Sequence, residues 1–195
     1  MKRLIVAISG ASGIIYAERM VKWLVKNGHS VDFLISNPGI KVFEMEIGKA
    51  PRDEEGWRKF FKDKKGLFHY HQADDFNSAL ASGSAKKDGM VIIPCSMGMV
   101  GRLANCISSN LIERAADVML KENKPLLLVF RESPLNLIHL ENLMRLKRAG
   151  AIIMPACPGF YSQPKKIEDL IDSLVGRALR EIGIENSLER EWGKR

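Results

Sequence analysis

The chain has 195 residues, of which 46% are hydrophobic and 27% charged, a balance typical of one folded domain rather than a disordered or fibrous protein. A chain of this length buries roughly 70% of the surface that its unfolded form exposes, so no covalent or metal staple is needed. The net charge of +7 indicates an anionic partner without separating nucleic acid, a membrane surface and a phosphate-bearing small molecule. The three cysteines form no CxxC pair, which argues against a disulfide framework or a structural zinc site.

Five short apolar runs predict strands that are buried on both faces, as in a parallel sheet. They cover residues 4–8, 31–35, 90–93, 126–129 and 151–154. The first run follows Met1-Lys2-Arg3, but it is too short for the core of a signal peptide. No run approaches the roughly 20 residues of a membrane span. We therefore expect a first strand in a cytoplasmic protein that has no membrane partner.

Helical periodicity fills most of the gaps between these runs. It predicts helices over residues 14–27, 103–121, 137–149 and 167–182, three of which end at a glycine suited to a C-cap. The charged and aromatic segment 41–75 is interpreted as helix, irregular chain and an additional strand. Strands alternating with helices predict an α/β fold with a mostly parallel sheet and helices on both faces.

The loop after the first strand carries the first functional candidates, because ligands of open parallel sheets bind at the carboxyl ends of the strands. Ser9-Gly10-Ala11-Ser12-Gly13 leads directly into a helix. Its glycines allow close backbone approach, and its hydroxyl and amide groups are suitable donors for phosphate. The alternative is a tight turn in which Ser12 caps the helix.

The other strand ends carry comparable candidates. Ser36-Asn37-Pro38 follows the second run, and residues 94–99 form a small polar loop after the third. Arg131-Glu132 is either a structural ion pair or an anion-binding arginine beside a proton-transferring carboxylate. Residues 155–164 contain three prolines and form a rigid loop able to hold the phenol of Tyr161. Together, the loops at these strand ends predict a binding site for an anionic ligand.

Weaker arrangements in the sequence compete with this site. His69-Tyr70-His71 resembles a metal-binding run, but without further ligands at a recognisable spacing a surface segment is favoured. His139 fits helix capping or packing better than general-base catalysis, and Cys95 has no identifiable histidine partner for nucleophilic catalysis. The basic residues are scattered, which disfavours a nucleic-acid partner.

Several blocks of the sequence, taken together, resemble the flavin prenyltransferases, once described as accessory flavoproteins of aromatic acid decarboxylation. The blocks run in family order from residue 3 to about residue 192 and comprise residues 9–13, 82–84, 88–97, 110–118, 120–122, 131–132, 138–142, 158–161, 177 and 183–184. The resemblance implies a Rossmann-like flavoprotein domain over residues 1–185, followed by a tail over residues 186–195.

The same resemblance implies a reaction. The dimethylallyl group of dimethylallyl phosphate is joined to N5 and C6 of reduced FMN, without a metal ion, and the prenylated FMN then serves a partner decarboxylase. A homo-oligomer, specifically a homododecamer, is also implied.

The resemblance assigns FMN contacts and prenyl phosphate contacts to matching positions. The FMN group is Gly10, Ala11, Ser12, Ser36, Ser96, Met97, Gly98, Met99 and Arg131. The substrate group is Lys121, Tyr161 and Arg177, with Ser82, Arg114, Glu46 and Trp192 lining the same site, in part across a subunit interface. Glu132 is the implied proton acceptor at N5, and Ser12 helps to place the flavin. Lys121, Tyr161 and Arg177 stabilise the leaving phosphate through charge-assisted hydrogen bonds.

The chain departs from the family pattern at a few positions. Phe130 stands where proline is usual, Ser109 where Asp or Asn is common, and Gly98-Met99 where threonine is frequent nearby.

Two alternatives stay open at this point. An FMN-dependent decarboxylase of a cysteine-derived substrate requires a histidine in the first helix, whereas His29 lies beyond that helix. The other alternative is a non-catalytic module that binds phosphate or nucleic acid.

Overall fold

A six-stranded sheet forms the centre of the computed structural model, which describes residues 1–189. In chain order its strands are β1 (Arg3–Ile8), β2 (Ser30–Ile35), β3 (Phe68–His71), β4 (Gly89–Cys95), β5 (Leu126–Phe130) and β6 (Ile152–Pro155). Their spatial order is β3-β2-β1-β4-β5-β6, and every neighbouring pair is parallel. The strand order therefore reverses between β1 and β4, which is where open α/β sheets bind ligands.

Helices cover both faces of the sheet. They are α1 (Ile14–Lys26), α2 (Asn37–Glu46), α3 (Glu54–Phe61), α4 (Met97–Ala104), α5 (Leu111–Lys121), α6 (Leu137–Arg148) and α7 (Ile167–Glu181). Alternate strand residues point to opposite faces, so Val6 and Val91 pack with α1, α3 and α7, while Ala7 and Ile92 pack with α4, α5 and α6. The predicted α/β class, with helices on both faces of a parallel sheet, is confirmed.

The predicted strands and three of the four predicted helices are confirmed, with ends shifted by one or two residues. The single helix predicted over residues 103–121 is wrong, because the chain forms α4 and α5 with a loop between them. In this loop Cys106 adopts a left-handed backbone with φ of 54°, which ends the helical path. Asn110 then caps α5 by accepting a hydrogen bond from the Glu113 N–H at 3.0 Å.

The interpretation of residues 41–75 as helix, irregular chain and an additional strand is confirmed by the end of α2, by α3 and by β3. The aromatic residues of this segment belong to the core. Trp57, Phe61 and Phe68 are buried and surround Phe33 of β2 with ring centroids 5.0–5.6 Å apart. Within residues 1–189, no helix combines the length and apolarity that crossing a membrane requires.

Candidate functional site

The carboxyl edge of the sheet brings together the loops that follow β1, β2, β4 and β5. The Ser36 N–H donates to the Ile8 carbonyl at 3.0 Å, and the Ser9 N–H donates to the Pro94 carbonyl at 3.2 Å. The Arg131 N–H donates to the Cys95 carbonyl at 3.1 Å. These backbone contacts place the predicted FMN-binding residues of four separate loops side by side at the switch point of the sheet, the position between β1 and β4 where the strand order reverses.

The loop after β1 lies directly against the first turn of α2. A Cβ on Gly10 would stand 2.6 Å from the Cβ of Pro38, so this close approach requires glycine. Ala11 is buried, whereas Ser12 is exposed at the surface of the loop. The loop thus presents one hydroxyl on a tightly packed backbone.

The alternative in which Ser12 caps α1 is wrong. Gly13 occupies the N-cap position with φ of 109°, and it has no side chain to cap the helix. The carboxylate of Glu46 accepts hydrogen bonds from the Gly13 and Ile14 N–H groups at 3.1 and 2.9 Å. A residue at the end of α2 therefore does the capping, and the Ser12 hydroxyl is not used for it.

Ser9 is a residue that the sequence-based assignment missed, although it lies within the motif. It is buried, and its hydroxyl donates to the Pro94 carbonyl at 3.1 Å while accepting from the Ser96 N–H at 2.7 Å. Ser9 therefore locks the loop after β1 to the loop after β4.

Two further serines begin helices at this edge. Ser36 caps α2 by accepting from the Gly39 N–H at 3.1 Å, and Ser96 caps α4 by accepting from the Met99 N–H at 3.3 Å. The side chains of Met97 and Met99 are buried in the core, so these two positions have only backbone groups to offer at the edge. Gly98 between them is exposed.

Arg131 and Glu132 are both exposed where β5 leaves the sheet. Among the described residues they form no salt bridge with each other, and Glu132 accepts instead from the Ser133 N–H at 3.1 Å. The structural ion pair considered from the sequence is therefore not formed, and both side chains face outward at the edge that holds the other loops.

The predicted prenyl phosphate contacts are not brought together in one chain. Lys121 ends α5, pairs with Glu122 at 2.9 Å and lies toward the amino edge of the sheet, about 16 Å of helix away from the start of α5. Arg177 lies far along α7, on the other face, and pairs with Glu181 at 3.0 Å. Tyr161, by contrast, follows β6 at the carboxyl edge with 53% of its surface exposed.

Two lining residues of the substrate group share the face of Lys121. Arg114 of α5 donates to the Ala81 carbonyl at 2.9 Å, which holds α5 against the segment containing Ser82. Trp192 lies outside the described residues.

A cavity of about 470 Å³ opens beside Ser36 at the carboxyl edge. It is lined in part by Arg102 and by Ser109 and Asn110 of the loop between α4 and α5. Glu113, fully buried, accepts from Arg102 Nε and from the Ser109 N–H at 2.8 Å. Burial raises the pKa of the Glu113 carboxyl, but hydrogen bonds from Ser109 and Arg102 outweigh it, so the pKa lies below its usual value. Arg102 and Glu113 lie on different helices, and no motif in the sequence indicates that they form a contact.

The weaker candidates have other environments. His71 bonds to buried Asp32 at 2.8 Å, and residues 1–189 contain no cluster of three histidine, cysteine or acidic groups suited to a metal. His139 completes a capping box with Asn136, so its expected capping role is confirmed. Burial raises the pKa of the Cys95 thiol to about 12, which makes it unsuitable as a thiolate nucleophile.

The comparison with known proteins agrees with this geometry. The Flavoprotein family model matches residues 1–179, which places the chain in the flavoprotein class. Flavin prenyltransferase UbiX of Halalkalibacterium halodurans is 46% identical over 190 residues, covering 97% of this chain and 92% of the relative. The enzyme of the same name from Methanocaldococcus jannaschii is 44% identical and covers 98% of both chains. The chain belongs to the flavin prenyltransferase UbiX family.

Solved structures give the same result. A crystal structure of AnUbiX in complex with FMN and dimethylallyl pyrophosphate aligns with a TM-score of 0.89 at 32% identity, covering 100% of this chain and 98% of that one. A dodecameric FMN-dependent UbiX-like decarboxylase from Escherichia coli O157:H7 aligns with a TM-score of 0.87, also at 32% identity, covering 98% and 100%. The cysteine decarboxylase TvaF shares only the fold, at 16% identity and a TM-score of 0.64 over 93% and 98% of the two chains.

Proposed function

We propose that this flavin prenyltransferase joins the dimethylallyl group of dimethylallyl phosphate to N5 and C6 of reduced FMN, and that the prenylated FMN then passes to a partner decarboxylase. The observation that carries the proposal is the meeting of Gly10, Ser36, Ser96 and Arg131 at the switch point, in a chain of the UbiX family. A crevice with hydroxyls, helix N-terminal amides and an exposed arginine fits the phosphate and polar edge of FMN.

Reduced FMN, when bound, supplies the nucleophilic N5 and C6 atoms, and the chain supplies positioning and proton transfer. Ser12 is exposed on the loop after β1 and is not needed for capping, so its hydroxyl is available to orient the flavin. Glu132 is exposed on the same edge and, within residues 1–189, pairs with no arginine, which suits a carboxylate that takes the proton displaced at N5.

The prenyl phosphate would be bound by Lys121, Tyr161 and Arg177, with Ser82, Arg114, Glu46 and Trp192 lining the site. Two cations and a phenol stabilise a leaving phosphate by charge-assisted hydrogen bonds, so the proposed reaction needs no metal ion. Lys121 and Arg177 lie toward the amino edge, away from Tyr161 and Glu132. A complete site would therefore combine residues of neighbouring copies.

An exposed apolar stripe on α6 supports such an assembly. Leu137, Leu140 and Met144 are 69%, 50% and 47% exposed and lie at i, i+3 and i+7, along one stripe of the helix. A second copy of the chain is a suitable cover for this surface. We propose a homododecamer, the state that is stated for the Escherichia coli relative.

An anaerobic assay tests the proposed reaction. The full chain is mixed with reduced FMN and dimethylallyl phosphate in the presence of EDTA, and the extracted flavin is weighed by mass spectrometry. The proposal expects a mass increase equal to one five-carbon unit, and a parallel reaction with the pyrophosphate reports substrate preference. Unchanged FMN, in a sample shown to bind both ligands, would overturn the proposal.

A further inference from the structure

We propose that Arg102 is a binding residue for the phosphate group of FMN. The inference rests on the proposed function and extends its FMN site to a residue outside the loops assigned from the sequence. Arg102 lies on the sixth position of α4, but its side chain folds back along the helix. Its Nη1 lies 3.5 Å from the point where a Cβ on Gly98 would stand, which places the guanidinium beside the N-terminal turn of α4.

Within the described chain, the Arg102 guanidinium is held through its Nε atom alone. Its Nε donates to the fully buried carboxylate of Glu113, whose other oxygen accepts from the Ser109 N–H and hydroxyl at 2.8 and 2.7 Å. Within residues 1–189, Nη1 and Nη2 have no protein acceptor, and the side chain is 40% exposed. Arg102 is therefore held in one orientation with two donor groups left for a ligand.

The cavity that Arg102 enters has a positive character from several sources. It is lined by Ser36 and Asn37 at the start of α2 and by Ser109 and Asn110 just before α5. The N-termini of α2 and α5 thus border the cavity, and the Arg102 guanidinium connects it to the first turn of α4; each helix N-terminus carries a partial positive charge. Glu113 balances the charge of Arg102 on the Nε side, and among the described residues that line the cavity Asp74 is the single carboxylate.

The phosphate of FMN is the anion that fits this position. Ser36 belongs both to the cavity and to the proposed FMN contacts, and Gly98, another proposed FMN contact in the first turn of α4, lies next to the guanidinium. The proposed ligands of the prenyl phosphate, Lys121 and Arg177, lie toward the opposite edge of the sheet. We therefore assign the phosphate group that enters this cavity from the switch point to the flavin.

Comparison of FMN with riboflavin, which lacks the phosphate, tests the assignment. Dissociation constants of both flavins are measured by fluorescence quenching for the full-length wild type, Arg102→Gln, and the exposed control Arg148→Gln. We expect Arg102→Gln to weaken FMN binding by about 10- to 100-fold, the range for a hydrogen bond to a charged group, and to leave riboflavin binding unchanged. Arg148→Gln should bind both flavins like the wild type.

A second variant separates binding from folding. Arg102→Gln alone leaves Glu113 buried without its cation, so Arg102→Gln with Glu113→Gln keeps the pair neutral and able to hydrogen-bond. The double variant should show the same selective loss for FMN, with an unchanged circular dichroism spectrum. Equal weakening of FMN and riboflavin in both variants, or full FMN affinity in either, would overturn the role of Arg102. A wild type that fails to bind FMN would instead contradict the proposed function itself.

Discussion

The carboxylate of Glu46, at the end of α2, accepts a hydrogen bond at 2.9 Å from the N–H of Ile14, the first residue of α1. It also accepts from Gly13 at 3.1 Å, so one acidic side chain satisfies two of the unpaired amides of the helix start. Because Gly10–Ser12 lies immediately before these amides, Glu46 fixes the loop that is proposed to contact FMN.

Replacing this carboxylate should lower stability. We expect Glu46→Gln to reduce the free energy of unfolding by about 1 kcal/mol, because it removes the negative charge at the N-terminus of α1. Urea unfolding measures the change, with exposed Glu44→Gln of the same helix as control. Equal midpoints for the two variants would show that the contact contributes nothing.

Glu132→Gln should separate binding from chemistry. The amide keeps the size of the side chain and the acceptor for the Ser133 N–H, so FMN affinity should stay within about twofold of the wild type. Formation of prenylated FMN should slow by about 100-fold or more, since the amide does not take up a proton. Anaerobic mass spectrometry follows the product, with exposed Glu141→Gln as control. Undiminished turnover would remove Glu132 from the mechanism.

Leu140→Lys should break the proposed assembly. A charge in the middle of the α6 stripe would lose about 1.5–3 kcal/mol of burial per copy and would be costly to desolvate in a contact. Light scattering after size-exclusion chromatography should show smaller species and accompany a loss of prenyl transfer. Glu44→Lys, an exposed change on α2, should keep the wild-type mass. An unaltered mass for Leu140→Lys would exclude this stripe as a contact between copies.

Buried Asp32 gives the fold an acid-sensitive contact. Burial raises the pKa of its carboxyl, but hydrogen bonds from His71 and Lys87 outweigh it and hold the pKa below the usual 3.8. A folded pKa below the unfolded one stabilises the protein above about pH 4, and this contribution disappears as the pH falls through the folded value.

Asp32→Asn should therefore cost about 3 kcal/mol at pH 7, because Lys87 loses its buried partner, and should show a shallower loss of stability below pH 4. Unfolding at a series of pH values gives both quantities, with exposed Glu185→Gln as control. Parallel curves for Asp32→Asn and the wild type would contradict the assignment.

The sequence predicted those features that depend on local pattern. The buried strands follow from short apolar runs, and the meeting of Gly10, Ser36, Ser96 and Arg131 follows because carboxyl ends of parallel strands share one edge. Features that depend on contacts between residues far apart in the sequence were not predicted. Glu46 displaces Ser12 as the cap of α1 across 32 residues of chain, and Glu113 fixes Arg102 across a loop that the helical periodicity concealed. The parallel topology itself directs α5 and α7 back toward the amino edge, which separates Lys121 and Arg177 from the loops at the carboxyl edge.

The placement of Glu132 at one edge of the sheet and Lys121 toward the other has a genetic consequence under the proposed assembly. Each complete site is formed by residues of several chains rather than of one. Two inactive proteins, one lacking Glu132 and the other lacking Lys121, would restore a fraction of intact sites when they assemble together. Two defects on the same edge would not complement each other, so the pattern of complementation between alleles would map which residues share a chain.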